Sequence, residues 1–319
     1  MQAEAERLLR AQFSEIVHTL VTDSGLTPGA LRRQAALFAR VTRILNAGYG
    51  TLEAWSTEEF AKYAGVEALA ARAQITALIA DTDAARVTMQ ALTRAELEAI
   101  VELPIAGLPL GEWWKKQALD MSTATRQQMQ LGLVAGESPA AIARRIVPPA
   151  GSSEATVLRR ASNNANLLVR TSLTTVQNEA AFQQYQSANR DVSTEYQYVS
   201  ARDNRVTPIC RALDGNVYKY DDPKAPRPPQ HIKCRSTIVP KLNWRALGVR
   251  EPPAESALGF RSYDAWLREQ SAGEQNRILT TTRADLWRRE KVTLADLVSA
   301  DRRVLTLDQL RDRIGSVDT

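Results

Sequence analysis

Residues 203–240 read DNRVTPICRALDGNVYKYDDPKAPRPPQHIKCRSTIVP, and this stretch decides the fold of the second half of the chain. A turn at 213–216 and alternating residues at 196–199, just upstream, predict short strands joined by tight turns. Prolines then hold the chain extended until residues 236–239, which predict a returning strand. Together these patterns predict a small α+β module at 195–240.

Helical patterns surround the module on both sides. Residues 152–189 contain no Pro or Gly and repeat small apolar residues at three- or four-residue steps, which predicts a long central helix. The predicted fold class is therefore α+β and mainly α-helical. The predicted domains are an N-terminal helical domain at 1–103, a core at 104–250 that contains the module, and a helical C-terminal tail at 251–319.

Local signals in the N-terminal half predict where individual helices begin and end. A helix is predicted to begin at Thr27-Pro28 and to end at Asn46 and Gly48, since proline suits a first helical position and glycine a last one. A new helix is predicted to begin at Ser56, whose hydroxyl can form a capping box with Glu59.

The composition is that of an ordinary folded protein. The chain has 319 residues, of which 44% are hydrophobic and 24% charged, and this excludes a fibrous or wholly disordered protein. The sequence has neither a signal-peptide pattern nor an 18-residue apolar run, so we expect synthesis in a cytoplasm-like compartment and no membrane association. A net charge of +5 permits an anionic partner such as nucleic acid without indicating one.

The chain contains only two cysteines and two histidines, and three of these four residues lie between positions 210 and 234. Thiolates and imidazole are the usual zinc ligands, and the two-residue gap between His231 and Cys234 lets both converge on one ion with Cys210. A structural zinc site has four ligands, so one is missing. Nearby acidic residues can supply it: Asp203, which we take as the candidate, or Asp214, Asp221 and Asp222.

Other chemistry at the same residues stays open at this point. Cys210 and Cys234 can form a disulfide, which a reducing cytoplasm opposes, or can remain a reduced pair packed in the core. A thiolate activated by His231 can act as a nucleophile, but the sequence points to no third group that orients the imidazole. A nuclease centred on His231 and Asp203, with or without a metal ion, is a further alternative.

Two segments of the stretch resemble the signature of the Mu-F-like phage head morphogenesis (minor head) proteins. They are 203–215, DNRVTPICRALDG, and 228–235, PPQHIKCR. The upstream segment 136–146, GESPAAIARRI, is similar to a helix that precedes the signature in that family, and the resemblance covers about residues 104–312. The residues that match the family motif are Asp203, Cys210, Asp214, Gly215, His231, Cys234 and Arg235, with Arg170, Thr171 and Asn178 from the preceding helix.

The resemblance implies a structural minor head protein of a tailed bacteriophage. Such a protein is assembled in the host cytoplasm and resides in the virion, at the portal vertex or capsid interior. The implied partners are the portal protein, the major capsid and scaffold proteins, and packaged double-stranded DNA. The implied role is in head morphogenesis, DNA packaging or ejection, without enzymatic activity; a nuclease and a DNA-binding accessory protein are the alternatives.

Some members of that family carry two more cysteines, one just before the position of Cys210 and one after Arg235. This chain has Val206-Thr207 and Ser236 at those places. The zinc ion implied by those relatives would therefore have fewer thiolate ligands here.

Overall fold

The computed structural model describes residues 1–22, 31–80, 89–188, 192–248, 250 and 261–315. Within these residues the chain is mainly helical and contains one small antiparallel sheet, so the predicted mainly α-helical α+β class is confirmed. The helix start predicted at Thr27-Pro28 lies outside the described residues, as do positions 251–260 of the predicted tail.

The helices and strands follow one another along the chain as α1 (Gln2–Thr22), α2 (Leu31–Ile79), α3 (Arg94–Glu102), α4 (Leu110–Val134), α5 (Pro139–Ile146), α6 (Val157–Gln186), β1 (Ser193–Val199), α7 (Pro208–Leu213), β2 (Val217–Lys219), β3 (Thr237–Leu242), α8 (Tyr263–Arg268), α9 (Ala272–Leu279), α10 (Thr281–Arg288) and α11 (Leu307–Gly315), with a short 3-10 helix at Ala295–Leu297. The predicted long central helix is α6. None of the described helices is long and apolar enough to span a membrane.

The chain divides into two compact units. Unit 1 comprises Met1–Ala64 and Arg94–Val176, and unit 2 comprises Gly65–Thr93 and Gln177–Thr319. The domain limits inferred from the sequence stay a prediction.

Helix α2 runs without a break through the stretch where a helix end was predicted. Gly48 faces α1 so closely that a Cβ at this position would overlap the side chain of Gln12. The Gln12 amide also donates a hydrogen bond to the Leu45 carbonyl oxygen at 2.7 Å. The glycine therefore serves a close approach of two helices, and the predicted helix end at Asn46 and Gly48 is wrong.

Ser56 also lies inside α2, so the helix start predicted there is wrong. Its hydroxyl donates to the Glu53 carbonyl oxygen at 3.1 Å and accepts a hydrogen bond from the Trp114 indole of α4 at 2.9 Å. Trp114 is fully buried, and its ring centroid lies 6.1 Å from that of Tyr49. Ser56 supplies the polar partner that a buried indole N–H requires.

Many polar residues of α6 bond to their own helix. The hydroxyls of Thr171, Ser172, Thr174 and Thr175 each donate to the carbonyl oxygen four residues earlier, at 2.9 to 3.1 Å. Such bonds let a hydroxyl be buried without a partner on another element. Of the motif residues in this part of the helix, Thr171 is buried and Arg170 is exposed.

The sheet of unit 2 has the strand order β2-β1-β3, with β1 antiparallel to both neighbours. The predicted strands are present, but the short helix α7 lies between β1 and β2, where only turns were predicted. Phe182 of α6 packs edge-on against Tyr196 and Tyr220, with ring centroids 5.7 and 5.5 Å away. This aromatic cluster fixes α6 on one end of the sheet.

Asn178 ties α6 to β3, which is an edge strand. The side-chain amide donates to the Ser236 carbonyl oxygen at 3.3 Å, and its oxygen accepts from the Ile238 backbone N–H at 3.1 Å. Asn178 thus satisfies backbone groups that an edge strand leaves without a ladder partner. The contact holds the chain just after Cys234.

A hydrophobic core, separate from the aromatic cluster of Phe182, Tyr196 and Tyr220, joins the module to residues 261–315, which we call the C-terminal segment. Both parts contribute buried side chains to it: Tyr198, Val206, Cys210 and Cys234 from the module, and Tyr263, Leu267, Leu279, Ala284, Trp287, Val292, Leu294, Leu297 and Leu310 from the C-terminal segment. The two cysteines therefore lie in an apolar core that the C-terminal segment completes.

Asp214 connects the module to the C-terminal segment. One carboxylate oxygen accepts hydrogen bonds from the Ser200 backbone N–H at 2.7 Å and the Arg202 guanidinium at 2.8 Å. The other accepts from the Tyr263 backbone N–H at 2.6 Å. Gly215 follows with a φ of +83°, a conformation that favours glycine, and this turn aims the carboxylate inward.

We expect Asp214→Ala to lower the free energy of unfolding by about 2–4 kcal/mol, because it leaves three donors without their charged acceptor in a site where the Asp214 side chain is only 2% exposed. Unfolding in guanidinium chloride would measure the change. Asp221→Ala is the control, since Asp221 is exposed, and its effect should stay within about 0.5 kcal/mol. Equal stability of the two variants would contradict the role assigned to Asp214.

Candidate metal centre

Cys210, His231 and Cys234 meet in unit 2. The Cys210 sulfur lies 3.3 Å from the Nε2 atom of His231 and 3.7 Å from the Cys234 sulfur. All three ligand atoms lie within 4.8 Å of one another. The structure thus brings together three of the four ligands predicted from the sequence.

Two local features of the backbone position these side chains. Thr207 caps α7, with Pro208 in its first turn, and its hydroxyl oxygen accepts from the Cys210 N–H, so that Cys210 sits on the first turn of the helix. On the other limb, the Cys234 N–H donates to the His231 carbonyl oxygen at 3.1 Å, closing a tight turn. The two-residue gap of the sequence therefore becomes a turn that points both side chains the same way.

The imidazole of His231 is oriented by its second nitrogen. Its Nδ1 lies 2.8 Å from the Ile232 carbonyl oxygen, which can only accept a hydrogen bond, so the neutral ring carries its proton on Nδ1. The lone pair of Nε2 then faces Cys210, and the Thr207 hydroxyl donates to it at 2.9 Å. A backbone carbonyl that fixes the ring in this way is the usual outer partner of a metal-binding histidine.

The two sulfurs are almost completely buried, at 1% and 2% exposure for Cys210 and Cys234. The Tyr198 hydroxyl donates a hydrogen bond to the Cys210 sulfur at 3.4 Å. The hydrogen bond with Cys234, together with burial, raises the pKa of Cys210, and the same hydrogen bond lowers the pKa of Cys234. The two thiols therefore lose their protons as a coupled pair rather than independently.

Two of the three distances between these atoms are close to those around a metal ion with tetrahedral geometry. Zn–S bonds of about 2.3 Å and Zn–N bonds of about 2.0–2.1 Å place two sulfurs about 3.8 Å apart and a sulfur and a nitrogen about 3.5 Å apart. The observed 3.7 and 3.3 Å are close to those values. A disulfide needs a sulfur separation of about 2.05 Å, so the two cysteines are free thiols here. The group can hold a metal ion.

Asp203 lies outside this group of three. Its carboxylate forms a two-bond ion pair with the guanidinium of Arg235, one bond at 2.6 Å, and accepts from the Arg205 backbone N–H at 2.8 Å. Its backbone carbonyl oxygen accepts from the Tyr263 hydroxyl at 2.8 Å. The pair of Asp203 and Arg235 therefore links the two limbs of the module, and Asp203 also anchors the C-terminal segment.

Tyr198 and Thr207 contact the candidate ligands but were not singled out in the sequence. Thr207 had a usable signal, because Thr-Pro is a helix-start pattern and predicts α7. Tyr198 had a weaker one: it follows Tyr196 at the two-residue spacing that places strand residues on the same face. The contact of Asp214 with Tyr263, 49 residues away, had no local signal.

We expect the ion pair of Asp203 and Arg235 to make stability depend on pH. The hydrogen bond from Arg235 holds the pKa of Asp203 below its usual range. A carboxylate of this kind stabilises the fold above its unfolded pKa of about 3.9 and loses that effect as pH falls through the lower folded pKa. Because the two side chains are 31% and 36% exposed, the stabilisation should not exceed about 1 kcal/mol.

The measurement is denaturant unfolding of the wild type and Asp203→Asn across a pH series. Asp203→Asn should be less stable at pH 7, and the difference should vanish in acid. Asp221→Asn, a change at an exposed residue, serves as the control. A difference that persists or grows at acidic pH would refute this account.

Residues 123–239 match the family model described as phage Mu protein F like protein. The matched segment contains α5, α6, α7, strands β1 and β2 and all three candidate ligands. No curated protein and no solved structure matches the chain. The resemblance predicted from 203–215 and 228–235 is thereby confirmed: residues 123–239, which contain both segments, are similar to the Mu-F-like family of phage head morphogenesis proteins.

Proposed function

We propose that this chain is a structural minor head protein of a tailed phage. It is incorporated at the portal vertex or capsid interior and acts in head morphogenesis, DNA packaging or ejection. The observation that carries this proposal is the family match over residues 123–239, which includes the whole Cys-His-Cys group. The portal protein and the capsid or scaffold proteins are its proposed partners.

We further propose that the chain is not an enzyme. The burial of both sulfurs, at 1% and 2% exposure, leaves a substrate little access to a thiolate nucleophile. The carboxylate of Asp203, the partner that a nuclease centred on His231 would use, is instead held in an ion pair with Arg235. Both observations favour a structural role for the group.

The ion proposed for the Cys-His-Cys group is zinc. Two thiolates and one imidazole are ligands that zinc prefers, and Cys210 lies at tetrahedral distances from both other ligand atoms. Zinc would link α7 to the turn before β3, and these two limbs are 24 residues apart at their cysteines. A link of this kind stabilises a small module by restricting its unfolded chain.

Protein purified without chelator should contain one zinc per chain, measured by mass spectrometry of the metal. Cys210→Ser, Cys234→Ser and His231→Ala should each lower the zinc content well below one. His18→Ala is the matched control, because His18 is the chain's other histidine and is exposed on α1. Wild-type protein that contains no zinc would refute the proposed ion. So would a loss of zinc in His18→Ala as large as that in His231→Ala.

The minor head role can be tested in head particles assembled with an epitope-tagged copy of the chain. We expect the tagged chain to sediment with purified heads, and heads assembled without the chain to be fewer or to contain less DNA. Mass spectrometry and DNA content of the particles are the two measurements. A chain that never sediments with heads would overturn the proposal.

Turnover of plasmid DNA with Mg²⁺ or Zn²⁺ distinguishes the enzyme alternative. A nuclease would degrade DNA and lose this activity in His231→Ala while the variant stays folded. A DNA-binding accessory protein would instead bind without turnover, with an affinity that falls steeply as salt rises. We expect that neither the wild type nor His231→Ala degrades plasmid DNA.

A further inference from the structure

We propose that a groove between α2 and α4 is a docking site for an arginine side chain of a partner protein. The groove lies within unit 1, whereas the Cys-His-Cys group lies in unit 2. The residues that line it include none of the family motif. The proposal is therefore independent of the metal ion, and it adds an interaction surface to the proposed head role.

The groove is a cavity of about 360 Å³ that is open to solvent. Its rim consists of exposed residues: Asn46 and Gly50 of α2, and Lys115 and Leu119 of α4. Leu119 is 67% exposed, which is unusual for a leucine beside a cavity. Pockets that hold small ligands begin at about 300 Å³, so the groove has room for a whole side chain.

A buried hydroxyl without a partner lines the groove. Tyr49 is 2% exposed, and its hydroxyl has no hydrogen-bond partner among the described residues. The neighbouring Trp114, by contrast, donates its indole N–H to Ser56 at 2.9 Å. A buried polar group that lacks a partner is costly, and the cost disappears when a guest in the groove supplies one.

Gly50 leaves space at the rim that the chain itself does not fill. Glycine is unfavourable inside a helix, and the nearby Gly48 is explained by its contact with Gln12. A Cβ at Gly50 would meet no atom within 4 Å, so no packing contact of the described residues requires a glycine there. The missing side chain instead widens the entrance to the groove.

The charges of the groove favour a cationic guest. Two charged residues line it, Glu53 and Lys115. The Lys115 ammonium pairs with Glu112 at 2.8 Å, whereas the half-buried Glu53 carboxylate has no ion pair among the described residues. Burial, followed by the negative charge of Asp120, raises the pKa of Tyr49, so its hydroxyl stays neutral beside a negative potential.

An arginine side chain fits these features together. Its apolar stem can lie along Leu119 while its charged end stays polar. Tyr49 and Glu53 are four residues apart on α2 and therefore lie on the same face of the helix. The guanidinium group has several donors in a planar fork, so it can donate to the carboxylate and to the phenol oxygen at once. A lysine ammonium lacks that fork.

The experiment follows the indole N–H resonance of Trp114 in the full chain, assigned with Trp114→Phe. The probe is N-acetylarginine amide, and N-acetylcitrulline amide is its uncharged counterpart. We expect a saturable shift with the arginine derivative and none with the citrulline derivative at the same concentrations. Absence of a saturable shift, or equal shifts with both compounds, would overturn the proposal.

Variants at Glu53 test the charge. Glu53→Gln should weaken binding of the arginine derivative about tenfold, since a charge-assisted hydrogen bond becomes an ordinary one. Glu102→Gln is the matched control, because Glu102 is exposed on α3 and does not line the groove, and it should bind as the wild type does. Equal affinity of the two variants would refute the role of Glu53.

Variants at the floor and the rim test the groove itself. Tyr49→Phe should be at least as stable as the wild type in urea, because it removes an unpartnered hydroxyl, yet it should bind about fivefold more weakly. Gly50→Leu should abolish binding without loss of stability. A destabilised Tyr49→Phe would show that the hydroxyl already has a partner, and binding retained in Gly50→Leu would place the ligand elsewhere; either result would reject the site.

Two further compounds test the nature of the guest. N-acetyllysine amide should bind more weakly than the arginine derivative, and equal affinity would refute the preference for a guanidinium group. Free L-arginine should bind no more tightly than the blocked derivative, because a docked side chain presents neither a free ammonium nor a free carboxylate. Tighter binding of the free amino acid would indicate a small-molecule site and overturn the docking role.

Discussion

The core that joins the module to the C-terminal segment encloses two thiols, one of which contacts the half-buried imidazole of His231. Polar groups of this kind are costly to bury unless they bond to one another or to an ion. The hydrogen bonds among Cys210, Cys234 and Tyr198 satisfy them on the buried side, and the carbonyl of Ile232 orients His231 on the other. The rest of the module surrounds that cluster with strands, α7 and the C-terminal segment.

This arrangement explains why the family motif extends beyond the candidate ligands. Asn178 holds the edge of β3, Asp214 and Gly215 form the turn that reaches the C-terminal segment, and Arg235 joins the two limbs through Asp203. None of these residues is a ligand of the group. Each fixes one of the segments from which the ligands project, which is how outer residues support a metal site.

Features set by short stretches of sequence could be predicted, and features set by contacts between distant segments could not. The strand positions, the central helix and the convergence of Cys210, His231 and Cys234 follow from periodicity and spacing. The unbroken α2 does not, because the glycine at position 48 fits a neighbouring helix rather than a helix end. The ion pair that removes Asp203 from the ligand set is equally non-local, since Arg235 lies 32 residues away.

The dependence of the cysteine core on the C-terminal segment has a consequence for biosynthesis. On the ribosome, Cys210 and Cys234 emerge before Tyr263, Trp287 and the other residues that cover them. Until those residues pack, the two thiols would be open to solvent, although the strands and α7 that bring them together have already been made. An ion captured by the nascent chain would protect the thiols until the last helices pack.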